Sequence, residues 1–152
     1  MIDIGKLTAF ADQYEANLLA QYEREPPGYG GMSPGQRMVH QSQHMRRLLI
    51  AGNQVGKTRA LAAETWWMAL GTHPYRSSPG EHSIGWIMCA DLKGGWVNFS
   101  AKLREIEPPG VLHPSVTYDS SRGYTHRSVK MLRLKNGSLI VGKSGTQEVM
   151  AL

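Results

Sequence analysis

The chain has 152 residues, 41% of them hydrophobic and 19% charged, which suits one globular domain with a real core. Its net charge of +5 favours polyanionic partners only modestly, because the basic residues are scattered along the sequence. A single cysteine, Cys89, excludes an intrachain disulfide framework and fits a reducing cytoplasm, and neither a signal peptide nor a bilayer-length apolar run is apparent.

In chain order, the spacing of Leu7, Phe10, Ala11, Tyr14, Leu18 and Tyr22 predicts an amphipathic helix over Lys6 to Arg24. Pro26-Pro27-Gly28 ends it and opens a turn-rich connector as far as Gly35. Ser33-Pro34 marks the start of a second helix, with Ser33 as cap and Gln36 to Gln43 as its body. That helix is polar enough to be expected partly exposed.

Leu48 to Ala51 is a short apolar run, as expected of a buried parallel strand. Gly52-Asn53-Gln54-Val55-Gly56-Lys57-Thr58 follows, and Arg59 to Leu70 reads as a helix rich in Ala, Leu, Met and Trp. Strand, glycine-containing loop, Lys-Thr and helix is the context of a phosphate-binding loop. The strict motif has Gly where this chain has Ala51. The N–H groups at a helix start are unpaired and carry partial positive charge, so a loop of small residues lets them face a phosphate. Ala51, Gly52, Asn53, Gln54, Val55 and Gly56 would form that cradle. Lys57 would reach the β- and γ-phosphates of ATP, and the Thr58 hydroxyl would meet Mg²⁺.

Ile84 to Ala90 reads as a second buried strand containing Trp86 and Cys89, with Asp91 at its end. Leu92 to Ile106 is predicted helical and stops at Pro108-Pro109-Gly110. Ser115 to Tyr118 reads as a short strand and Ser120 to Thr125 as a loop. The alternation over Val129 to Leu134, followed by Asn136-Gly137 and Ser138 to Val141, predicts a hairpin. Gly142-Lys143-Ser144 mimics the end of a second phosphate loop, but a hairpin arm precedes it and no helix of useful length can follow. Trp66 and Trp67 read as core, and His40 with His44 as a polar helix face rather than metal ligands. Arg122, Arg127, Lys130, Arg133 and Lys135 suit either phosphate contacts or a solvated hairpin face.

The stretch from Gln36 to Thr58 resembles the start of the ATPase domain of tailed-phage large terminases. The resemblance rests on Pro34-Gly35-Gln36, His40, Arg46-Arg47-Leu48-Leu49 and the Gly52 to Thr58 loop. Thr72-His73-Pro74-Tyr75, the Trp86 strand and the Asn136-Gly137 hairpin support it. It implies an α/β P-loop domain over residues 26–152, with a mainly parallel sheet and flanking helices, preceded by an N-terminal helix over residues 1–25. It implies a viral motor in the host cytoplasm, with ATP and Mg²⁺ as cofactors, that drives double-stranded DNA into procapsids. A small terminase subunit, a portal and a homo-oligomeric ring would be its partners, and no membrane. Gln36 matches the family's adenine-reading glutamine, with Gln41 and Gln43 competing for the role. The family's Walker B strand and nuclease domain would lie beyond Leu152, so the chain is expected to be an N-terminal piece with little ATP turnover alone. Asp91 at the end of an apolar strand is the minority candidate for the Walker B acid. A non-catalytic binding module, with a vestigial loop, is the alternative function.

Overall fold

The computed structural model describes residues 17–52 and 54–145. Four helices, α1 (Leu18–Arg24), α2 (Pro34–Gln41), α3 (Lys57–Leu70) and α4 (Leu92–Glu105), accompany five strands. These are β1 (Ile84–Cys89), β2 (Val116–Asp119), β3 (Gly123–His126), β4 (Met131–Arg133) and β5 (Leu139–Ser144). The expected helical turns over 6–16 lie outside the described residues.

Local chemistry sets the helix ends. The Asn17 side chain accepts from the Ala20 amide and starts α1, which stops at Glu25 ahead of Pro26. Ser33 and Gln36 form the reciprocal capping box of α2, with Pro34 in the first turn. Gly71, at φ 74°, closes α3 in the left-handed conformation. Asp91 caps α4, its carboxylate accepting from the Lys93 and Gly94 amides. Those bonds hold its pKa below the usual carboxylate range.

The main sheet has the order β1-β5-β4. β1 and β5 run parallel, with Trp86 beside Val141 and Ile87 beside Gly142. β4 and β5 are antiparallel and joined through Asn136-Gly137, where Gly137 has φ 85°. β2 and β3 form a separate antiparallel ribbon. α4 covers one face of the sheet. A Cβ on Gly142 would lie 2.6 Å from Cε3 of Trp96, so a side-chain-free position lets the indole rest on the strand. Trp66, Trp96, Tyr22, Tyr124, Leu103 and Ile140 are fully or almost fully buried in one core.

The fold is therefore α/β with flanking helices, but four expectations need correction. The sheet is mixed, with one parallel and one antiparallel pair, rather than mainly parallel. Leu48 to Ala51 lies outside the sheet, with Leu48 86% and Ile50 84% exposed. Apolarity alone does not make a strand, because its backbone needs a neighbouring strand to pair with. β5 takes one side of β1, and a groove of about 680 Å³ separates Leu49 from Trp86 on the other. Among the described residues β1 is an edge strand rather than a buried one, with Ile84, Trp86 and Met88 exposed. Cys89 is half-buried. The fourth correction is in the expected Ser120 to Thr125 loop, whose residues from Gly123 onward belong to β3 and pair with β2.

Candidate phosphate loop and the Glu64 cluster

α3 begins where the sequence places the Lys-Thr pair. Gly56 stands before it at φ 80°, and Gln54 is also left-handed at φ 62°. Such left-handed residues are a means of turning a chain into a helix. No side chain caps the N-terminus of α3. Its first amides are therefore among the unpaired donors of a helix start. The Lys57 ammonium folds back over the loop and donates to the carbonyls of Ala51 at 2.7 Å and Gly52 at 2.5 Å. Thr58 is exposed. Asn53 lies outside the described residues. The amides of a helix start, with an ammonium and a hydroxyl on its first two residues, are donors of the kind that suit an anion such as phosphate.

Gln36 reaches this loop. Its Nε2 donates to the Gly56 carbonyl at 2.9 Å while its Oε1 accepts from the Ser33 amide at 2.7 Å. One side chain thus joins the cap of α2 to the last residue before α3. Gln43 instead donates to the carbonyls of Gln41 and Tyr75. Asp91 is occupied as the α4 cap. Gly142-Lys143-Ser144 lies within β5.

A second cluster shares the groove with Lys57 and Thr58 and centres on Glu64 of α3. Glu64 Oε1 accepts from His40 Nδ1 at 2.7 Å, Arg47 Nη1 at 3.0 Å and His73 Nε2 at 3.2 Å. Its Oε2 accepts from Arg47 Nη2 at 2.9 Å and from Arg76. Burial opposes the charge, but the bonds from His40, Arg47 and His73 outweigh it and hold the carboxyl far below the usual range. His73 Nδ1 accepts from the Tyr75 amide, and its Nε2 lies 3.2 Å from Glu64 Oε1 and 3.3 Å from Arg76 Nε. Burial lowers the His73 pKa despite the Glu64 partner. His40 is fully buried, with the Tyr22 hydroxyl 3.0 Å from its Nε2. Arg47 also donates to the Val39 carbonyl at 2.8 Å. The cluster ties α2, the segment entering the loop, α3 and the turn after α3 to one carboxylate.

Of the residues singled out in the sequence, Gln36 contacts Gly56 directly, and Lys57 turns instead to the Ala51 and Gly52 carbonyls. The sequence reading missed Glu64, Arg47, His73 and Arg76 as a unit and put His40 on a polar face. The available signal was Glu64 itself, an acid among buried Ala60, Ala63 and Trp67, where a charge requires partners. Among the described residues no group of three or more His, Cys, Asp or Glu could hold a metal ion. No described helix is long and apolar enough to cross a membrane.

No family model, no curated protein and no solved structure matches this chain.

Proposed function

We propose that the chain is the ATP-binding part of a DNA-packaging motor of the large-terminase kind, acting on double-stranded DNA. The observation that carries this reading is the loop into α3. Lys57 caps the carbonyls of Ala51 and Gly52 with its ammonium, at the start of a 14-residue helix that no side chain caps. A phosphate would draw the ammonium off those carbonyls and take up the free amides, with the Thr58 hydroxyl as a ligand for Mg²⁺. Ala51, Gly52, Asn53, Gln54, Val55 and Gly56 supply the backbone of the cradle. Gln36 spends both amide atoms on Ser33 and Gly56, which favours a loop-holding role in this state over reading adenine. The terminase assignment, with its ring, portal and small-subunit partners, rests on the sequence resemblance alone.

Titration calorimetry with Mg-ATP on the chain and on Lys57→Ala tests the nucleotide site. The expected result is saturable binding that Lys57→Ala weakens by at least about tenfold, the worth of one charge-assisted contact. Equal affinity in both removes the reading. A phosphate-release assay on the same preparations addresses turnover. Near-background rates are expected, since a water-orienting group and a finger arginine together supply several orders of magnitude. Robust turnover abolished by Asp91→Asn would instead favour Asp91 as the metal-binding acid.

A further inference from the structure

We propose that Ser115 is an activated nucleophile, held between two imidazoles, that accepts a phosphoryl group from a donor with a good leaving group, such as a phosphoanhydride.

The local fold builds the arrangement. His113 is pinned to β4 by its amide, which donates to the Arg133 carbonyl at 3.0 Å. Ser115 comes just before β2, whose first residue, Val116, lies opposite His126 at the end of β3. The chain then returns through Arg127 and Ser128, at φ 49° and 67°. His126 and Val129 close that turn, each amide donating to the other's carbonyl at 3.0 Å. Two consecutive left-handed residues that both carry side chains are unusual, since such turns favour asparagine and glycine. Backbone strain of this kind gathers at functional sites.

The donors fix the proton positions. The Ser115 amide donates to His113 Nδ1 at 3.2 Å, so that nitrogen is an acceptor and carries no proton. The Ser115 hydroxyl oxygen lies 2.5 Å from the same nitrogen and donates to it, because two lone pairs would otherwise meet. His126 Nδ1, 2.8 Å from the hydroxyl oxygen, then donates to that oxygen. A hydroxyl that gives its hydrogen bond to a neutral imidazole is the contact of a nucleophile with its base. The amide contact alone is an ordinary turn feature; two rings on one hydroxyl are not required by it.

His113 is neutral near pH 7 and able to take the proton. Desolvation, then the charges of Arg133, His126 and Arg127, hold its pKa below the ordinary histidine value. Ser115 is exposed, so a donor can reach it. Arg127 and Arg133 favour an incoming group with negative charge, hence phosphoryl rather than acyl. In the step, the hydroxyl proton passes to His113 Nδ1 as Oγ bonds to phosphorus. The bond from phosphorus to its leaving group breaks, and the leaving group departs with that electron pair. The site shares no residue with the Lys57 loop or the Glu64 cluster, so it stands apart from the nucleotide reading.

Diisopropyl fluorophosphate, a phosphorylating reagent with fluoride as leaving group, is the probe. It is applied to the full chain and read by intact mass and peptide mapping. The expected result is one adduct on Ser115, formed far faster in the native chain than in one unfolded in urea. His113→Gln should react about a hundredfold more slowly, the low end of what a positioned base supplies, with fold retention checked by circular dichroism. An adduct confined to other residues, or none at all, would overturn the proposal. So would equal rates in the native and unfolded parent, a comparison that needs no variant, or equal rates in His113→Gln and the parent.

Discussion

Ala60, Ala63 and Trp67 are buried around Glu64 on α3, so the carboxylate sits where a charge is normally excluded. It is tolerated because every donor around it points inward, with Arg47 gripping both oxygens. Replacing Glu64 by Gln keeps the shape but leaves two guanidiniums facing each other without a counter-charge. Breaking such a pair typically costs about 3–5 kcal/mol. Urea denaturation should show a loss of that order for Glu64→Gln. Arg47→Met should cost clearly less, because Arg76, His40 and His73 still satisfy the carboxylate. At this scale the sequence spoke unevenly. Lys57 and Gly56 could be singled out in the sequence because the Gly52 to Thr58 motif is contiguous. Glu64 and its partners span residues 40 to 76, and only the fold brings them together. His40 was misjudged because its neighbours Gln41 and Gln43 are polar, whereas its own side chain turns inward to Tyr22 and Glu64.

Among the elements, those whose ends carry their own signals were read closely. Ser33-Pro34 starts α2, Gly71 ends α3, and Asn136-Gly137 turns β4 into β5. Ser33→Ala should cost about 1 kcal/mol through loss of the capping box, measurable as a lowered melting temperature. The apolar runs were less informative. Leu48 to Ala51 and Ile84 to Cys89 have equally strand-like compositions, yet only the second has a partner, and pairing is not written in either segment alone. Gly142 illustrates the same limit. In sequence it belongs to an apparent phosphate motif, while in the fold it is the flat place on β5 where Trp96 rests. Trp96 is anchored by its indole N–H on the Tyr124 carbonyl at 2.9 Å, so it has little freedom to retreat. Gly142→Ala should therefore destabilise the chain by about 1–3 kcal/mol, the usual cost of overpacking. Tryptophan fluorescence during denaturation would read it directly. Stability equal to the parent would mean that the strand shifts without penalty.

For the whole molecule, the Glu64 cluster makes stability depend on pH in a defined direction. His73 has its pKa lowered in the fold, chiefly by burial, so the native state resists protonating it. An unfolded chain takes up that proton near pH 6.5. Between the unfolded and folded values the unfolded state binds more protons, and stability falls as pH drops. His113 has its pKa lowered in the same direction, through desolvation and then the charges of Arg133, His126 and Arg127. Glu64 adds a second, more acidic step. Its folded pKa is held far below the ordinary value, so its contribution is complete above about pH 4.3 and is lost as pH falls below that. The expected profile is a plateau above about pH 7, a shallow decline beginning near 6.5 and a steeper one below about 4.5. Urea midpoints at closely spaced pH values would trace it. His73→Asn should flatten part of the first decline, the remainder belonging to His113, while Glu64→Gln should remove part of the second and lower the plateau. A parent profile that stays flat from pH 8 to about 5 would show that His73 is protonated as readily in the fold as in the open chain, and the linkage would fail.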